Sequence, residues 1–431
     1  MKKKQKTIYL SLAAEIMSDA HLKLIKKAQS YGNVIIGLLT DKAVSEYRSL
    51  PLIDYNQRYE ILKKVKGIYK VIRQDTWDFT FNLKKIKPEY VIHGDDWKSG
   101  IQKKIRLKIL KTIKAWNGKL IEVPYTKNDK VSLVHDKIKS HYFNNESRVS
   151  RLKRLIEAKP IVRALESHNS LTGLIIENMN FIKKNKFYEF DAMWSSSLTD
   201  SAVRGKPDNQ SVDYSTRINA LNEILDVTNK PVIFDADNGG RIEHLPFLVR
   251  SLERSGVSAI VLEDKIGLKK NSLFKNQKGV NQDSIRDFSK KIKTCNSSKL
   301  SKDFFVVARI ESLILGKTVS EALKRAFAYT KAGANAILIH SKENNPRKIF
   351  EFAKSYKKKC SLPLIAVPST YSKTRESELI KNGFNIVIYA NHLLRAAYPA
   401  MNSIAKSILT NGRSSDIEKK IVPIKEIISL L

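Results

Sequence analysis

Cysteine is the scarcest side chain here: Cys295 and Cys360 are the only two among 431 residues, far apart and in polar or basic surroundings. They supply neither a disulfide framework nor a thiolate metal site, and they suit a reducing compartment. Long apolar runs are missing too, since no stretch reaches the roughly 20 residues that cross a bilayer as a helix. The opening "MKKKQKTIYLSLAAEIMSDAH" has the basic start and short apolar stretch of a secretory signal. Glu15 and Asp19 interrupt it, however, and "TIYLSL" reads as a strand. A soluble, cytoplasmic protein without a membrane partner is expected. Acids are under-represented, with 43 Asp and Glu against 78 Lys and Arg and a formal net charge of +35. Such a charge suits nucleic acid. Yet the lysines are scattered along both halves, and no aromatics are interleaved with them as a stacking platform needs. Nucleic acid is therefore not the expected partner.

What is present is ample apolar side chain: 42% of residues are hydrophobic, as in globular proteins. The length implies two domains. Near the N-terminus, "KTIYLSL", "NVIIGLL", "YKVIR", "EYVIHG" and "GKLIEVP" alternate with amphipathic stretches such as "AHLKLIKKAQSYG". That alternation predicts an α/β, doubly wound Rossmann-like sheet. Such sheets bind ligands at the carboxyl ends of their strands, where "GLLTD" (37–41) and "HGDDW" (93–97) fall. The rhythm then breaks in a polar, charged connector with helical portions. From Pro160, eight further strand candidates appear, separated by helix-length segments: "PIVRALE", "FDAMWSSS", "PVIFDAD", "SAIVLED", "FFVVARIE", "NAILIHS", "PLIAVP" and "NIVIYAN". Eight β/α units predict a (β/α)8 TIM-type barrel. The expected division is a doubly wound domain over 1–135, a connector over 136–158 and a barrel over 159–431.

Barrels of this kind keep their chemistry at the C-terminal ends of the strands. Those ends carry Ser196 and Ser197, then Asp235 and Asp237, then Glu263, Arg309 and His340. One strand-end aspartate is commonly a helix cap, and one arginine an ordinary ion pair. Several such groups on one face, with complementary charge, read as a site. Asp235, Asp237 and Glu263 form a hard-oxygen nest that suits Mg²⁺ holding several waters. Arg309 offers a planar fork for carboxylate or phosphate oxygens, and His340 can donate to the same anion. The sum predicts a small, multiply charged anion chelated to a divalent metal.

Directly after the strand ending in Glu263 comes "EDKIGLKKNS" (263–272). It is similar to the E-D-K-x-G-x-K-x-N-S motif of the phosphoenolpyruvate mutase family, in the isocitrate lyase superfamily. "WSSSLTDSAVRGKPD", "FDADNGG", "VVARIES", "IHSK" and "YANHLLRAAYPAM" also resemble that family, and the likeness covers about 159–431. The resemblance implies interconversion of phosphoenolpyruvate and phosphonopyruvate. It implies Mg²⁺ on Asp235, with Asp237 and Glu263 contacting the ion's waters. Trp194, Ser196, Ser197 and Leu198 would frame the pyruvyl group, and Asp208 would be the essential loop aspartate. Arg309, His340 and Asn271 would confine the migrating phosphoryl group while Lys269 covers the site and Gly267 lets the loop hinge. Superfamily lyases carry a K-K-C-G-H type of motif that this sequence lacks, which argues against isocitrate or methylisocitrate cleavage. Phosphonopyruvate hydrolases differ around the position of Gly267. A hydrolase or C–C lyase on the same barrel is the alternative reading.

The N-terminal segments "GLLTD", "YNQR", "KPEYVIHGDDW" and "LIEVPYTK" resemble a cytidylyltransferase-like domain. That family has H-x-G-H after its first strand, where this chain has "SDAH", so that Ser18 and Ala20 replace a histidine and the glycine. The family's I-S-S-T signature reads here as "DKVS" (129–132). Losing a charged partner and the close-approach glycine weakens transition-state binding, so nucleotidyl transfer is expected to be lost. His21, Asp41, Arg58 and Asp95 remain candidates for holding a nucleotide such as CTP, and a bifunctional mutase/phosphonate cytidylyltransferase is the alternative. The family resemblance also implies a homodimer or homotetramer through the barrel, with a swapped terminal helix around "RAAYPAMNSIAKSILTNG".

Overall fold

The computed structural model describes residues 5–124, 145–184, 186–267, 269–274, 277 and 279–430. "DKVS" (129–132) and the first part of the connector, 136–144, lie outside the described residues. Five strands build the N-terminal sheet: β1 (Thr7–Leu12), β2 (Asn33–Leu39), β3 (Ile68–Gln74), β4 (Tyr90–Gly94) and β5 (Lys119–Val123). Their order is β3-β2-β1-β4-β5, all parallel. Strand order therefore reverses between β1 and β4, the crevice where doubly wound sheets bind ligands.

The second half closes as an eight-stranded parallel barrel. Its strands are β6 (Val162–Glu166), β7 (Ala192–Ser195), β8 (Val232–Asp235), β9 (Ala259–Glu263), β10 (Phe305–Ile310), β11 (Ala336–Ile339), β12 (Leu364–Ala366) and β13 (Ile386–Tyr389). Successive side chains of a strand point to opposite faces, so each barrel strand divides its residues by parity. Phe234, Ile260, Leu262, Val306 and Ala308 pack outward against helices, in one core with Phe288, Ile292 and Phe352. Ile233, Ala259, Val261, Phe305, Val307, Ala336 and Leu338 form the inner core. Continuing the inward parity to the strand ends reaches Asp235, Glu263, Arg309 and His340. The alternation that fills the barrel thus also aims these four at its mouth.

The helix Asn145–Ala158 precedes β6 and so lies at the opposite end. Leu152 and Leu155 from this helix, together with Leu50 of the N-terminal domain, join the inner core. The first domain therefore helps to floor the barrel. A polar seam accompanies that contact, with Ser49 donating to Glu189 at 2.9 Å. Among the described residues, no helix is long and apolar enough to cross a membrane.

Candidate active site

The strand ends meet around a cavity of about 60 Å³. One water needs roughly 10–15 Å³ by the same measure, so a few waters or one short organic acid fill it. Every barrel residue nominated from the sequence lines it except Asp237: Trp194, Ser196, Ser197, Leu198, Asp208, Asp235, Glu263, Lys269, Asn271, Arg309 and His340. Asp237 stands just behind and still reaches Lys269.

Local chemistry sets each position. Asp235 ends β8, and its Oδ1 accepts from the Asp237 backbone N–H at 3.2 Å. That turn places Asp237 in the left-handed region, φ 50°, which aspartate tolerates better than most residues. The other oxygen, Oδ2, accepts from the Ser197 hydroxyl at 2.9 Å. Behind the turn, the buried Arg217 guanidinium lies 4.2 Å from the Phe234 ring centroid. It donates to Asp200 at 2.8 Å and to the Asp235 carbonyl at 2.5 Å. On the next two strands Glu263 and Arg309 are register partners, with 3.5 Å between carboxylate and guanidinium.

The loop after β9 folds back over this floor. Its stem is the two-residue antiparallel pairing of Lys265–Ile266 with Asn281–Gln282. Gly267 adopts φ +88°, a backbone state that suits glycine, and the chain then turns across the cavity. Lys269 Nζ reaches Asp208 at 2.6 Å and also contacts Ser197 and Asp237. Asn271 donates to the other Asp208 oxygen at 2.7 Å. Asp208 therefore receives both loop residues, and the loop is closed onto it.

Burial and charge compete throughout. Burial opposes the Lys269 ammonium, but Asp237, Asp235, Asp208 and Glu263 outweigh it and hold the proton more firmly than usual. Burial likewise works against the Asp235 carboxylate, yet Lys269, Arg309, Arg217 and the Ser197 hydroxyl keep it below its ordinary range. Asp237 is pushed up, first by burial and then by Asp235. Glu263 is pushed up to about 7 by burial, with Glu311 adding repulsion against the pull of Arg309 and Lys265. His340 is pushed down to about 4 by burial and the Arg309 charge, so its ring is neutral at pH 7. Its Nδ1 has no hydrogen-bond partner.

The acidic set fits a hard divalent cation of the kind that retains water. The oxygens are carboxylates, and Asp237 Oδ1 is buried without a hydrogen bond although the Lys269 charge touches it. The ammonium thus stands where positive charge is wanted. Among the described residues, no three His, Cys, Asp or Glu side chains form a ready-made cage.

Sequence reasoning missed a supporting group. Glu311 is fully buried and held at about 2: burial opposes its charge, but Arg309 and Lys265 dominate. It accepts from Arg309 Nε at 2.6 Å and from the Ser272 hydroxyl at 2.7 Å. Lys265 donates to Ser272 at 2.8 Å and to the Lys270 carbonyl at 3.0 Å. This network pins the closing loop to the arginine's back. One signal was available: Glu311 lies two residues beyond Arg309, on the same face by strand parity. Asn391, at the end of the eighth strand, also lines the cavity and was not singled out.

Of the N-terminal candidates, Asp41 and Arg58 contact each other directly. Ser18, standing where the resemblance called for a histidine, caps the helix Asp19–Gln29. His21 completes the capping box, its Nδ1 3.2 Å from the Ser18 backbone nitrogen. Burial pulls His21 below its usual value, and Arg48 adds to that. Arg58 is buried, donating to Asp41 at 2.8 Å and to the Ile53 carbonyl at 3.1 Å. The second Asp41 oxygen accepts from Arg154, on the barrel's floor helix, at 2.8 Å. Asp41 thus joins the two domains, with Arg58 holding its other oxygen. Asp95 follows β4 with Lys98 3.9 Å away.

Both parts of the chain resemble known proteins. The family model described as phosphoenolpyruvate phosphomutase matches residues 152–409, and one described as cytidylyltransferase-like matches residues 15–134. Phosphoenolpyruvate phosphomutase of Tetrahymena pyriformis is 35% identical over 290 residues, covering 67% of this chain and 93% of that one. Phosphonopyruvate hydrolase of Variovorax sp. is 32% identical over 283 residues, covering 65% and 93%. The crystal structure of phosphoenolpyruvate phosphomutase from Streptomyces platensis subsp. rosaceus superposes with a TM-score of 0.61 at 32% identity, covering 65% of this chain and 94% of that one. A phosphonopyruvate hydrolase complex with oxalate and Mg²⁺ superposes with a TM-score of 0.58 at 30% identity, covering 66% and 94%.

Proposed function

We propose, from the premise that the chain belongs to the phosphoenolpyruvate phosphomutase family and is an enzyme of the isomerase type, that it interconverts phosphoenolpyruvate and phosphonopyruvate. The observation that carries this reading is the closure of Lys269 and Asn271 onto Asp208 above the acidic set. Phosphoryl transfer passes through a loose, metaphosphate-like transition state, so positioning and charge do most of the work. Water reaching that species would divert it to hydrolysis, and a sealed lid prevents the diversion.

In this reading Trp194, Ser196, Ser197 and Leu198 frame the pyruvyl group. Asp235, with Asp237 and Glu263 through water, would hold Mg²⁺. Bound there, the ion neutralises charge on the substrate's carboxylate and enolate oxygens as a Lewis acid. Arg309 presents its guanidinium to the phosphoryl oxygens, anchored from behind by Glu311. The neutral His340 ring donates a hydrogen bond, and Asn271 holds the same group from the lid. Asp208 keeps both lid residues in place, accepting from Lys269 on one oxygen and from Asn271 on the other.

The N-terminal domain is proposed to have lost nucleotidyl transfer. His21 is spent on a helix cap, while Asp41 is shared between Arg58 and Arg154 of the floor helix. A second copy of the chain is the proposed partner. The helix His392–Asn411 leaves Tyr398, Met401 and Leu409 exposed, Leu409 at 87%, and sedimentation reporting a monomer would remove that proposal.

Phosphorus NMR tests the reaction directly. With phosphonopyruvate and Mg²⁺, the phosphonate resonance is expected to give way to that of the enol ester. A rise of inorganic phosphate instead would assign a hydrolase. In a parallel tube, CTP and hydroxyethylphosphonate are expected to yield no pyrophosphate, and steady release would restore the bifunctional reading.

A further inference from the structure

Asn391 stands at the N-cap position of the helix His392–Asn411, where asparagine ordinarily accepts a hydrogen bond from a free backbone N–H of the first turn. It makes no such bond, and its backbone sits at φ −161°, ψ 23°, outside the usual cap conformation. The first-turn N–H groups have another acceptor. Glu166, fully buried at the end of β6, accepts from Leu393 N at 2.8 Å and from Leu394 N at 3.0 Å. His168 Nδ1 holds the same carboxylate at 2.8 Å. A carboxylate at a helix N-terminus also gains from the helix dipole, so Glu166 does the capping and Asn391 is released from it.

The released amide lines the active-site cavity. Asn391 is only 5% exposed, and its side-chain oxygen is buried without a partner. A buried amide without a partner is costly unless a ligand or water completes it. Trp194 Nε1 and His340 Nδ1, on other strand ends around the same cavity, are unpartnered in the same way. Asn391 and Trp194, each with a buried polar atom that lacks a partner, thus line one small cavity together with Asp208, Asp235 and Glu263. The amide can turn to present its N–H₂ to an anion.

We infer that Asn391 is a substrate-contacting residue, donating its side-chain amide to an oxygen of the bound three-carbon acid. This rests on the proposed reaction for the identity of the ligand, but not for the existence of the contact. Freed of capping duty, Asn391 is dispensable for the helix and needed for the anion.

Calorimetric titration with phosphoenolpyruvate and with oxalate, each with Mg²⁺, tests it in the full chain. Asn391→Ala is expected to weaken phosphoenolpyruvate binding about 10- to 100-fold, as loss of one hydrogen bond to a charged group does. Its unfolding midpoint without ligand should stay within about 1 °C of the parent, since no cap is removed. Asn391→Asp keeps the shape but turns a negative charge toward the anion, and is expected to bind more weakly still. Unchanged affinity for both anions in both variants would overturn the inference. So would a lowered midpoint that accounts for the lost affinity. A parent protein that binds both anions but leaves phosphonopyruvate unconverted would sink the mutase reading while the Asn391 contact stands.

Discussion

Lys269→Ala is expected to lower turnover of phosphonopyruvate by about 10³-fold or more, with the barrel still folded. One ammonium reaches Asp208, Ser197 and Asp237, and it is the lid's only charge that bonds directly to Asp208 among the described residues. Losing a single preorganised donor typically costs about 10²–10³-fold; here the same substitution also opens the lid. A second signature distinguishes a seal from a simple charge: the residual reaction should leak, giving pyruvate and inorganic phosphate beside the enol ester. Asn271→Ala, which removes the other bond to Asp208, should leak in the same direction. Near-normal turnover in both variants would dispose of the lid assignment, and circular dichroism would show whether the fold had survived.

Arg309→Lys should cost about 10²–10³-fold in kcat although the positive charge is retained, because a point charge cannot replace a fork. Arg309 uses Nε on Glu311 at 2.6 Å and Nη2 on the Ser272 hydroxyl at 2.9 Å. A lysine cannot make both bonds and still face the cavity. Glu311 would then be left buried with weaker compensation, and breaking a buried pair costs roughly 3–5 kcal/mol, so a lower unfolding midpoint is expected as well. Activity within tenfold of the parent would mean that Arg309 contributes charge alone.

Much of this was legible beforehand because it is local. Strand-forming runs, their separation by helix-length segments, and the acids and bases at strand ends all follow from short stretches of chain. Inward parity along a strand even places Asp235, Glu263, Arg309 and His340 on one face before any coordinates are known. The loop motif supplied Lys269 and Asn271 by resemblance, and "SDAH" lies where Ser18 and His21 form a helix capping box.

The sequence by itself therefore determined two α/β domains, a barrel mouth lined by opposed charges, and a cationic loop beside it. Tertiary structure alone decided which partners those side chains take. Asp208 meets Lys269 across 61 residues, Asp41 meets Arg154 across 113, and Glu166 caps Leu393 across 227. No periodicity encodes such pairs. A carboxylate or an amide has several acceptable partners, and only closure of the barrel and docking of the domains bring one of them within hydrogen-bonding distance.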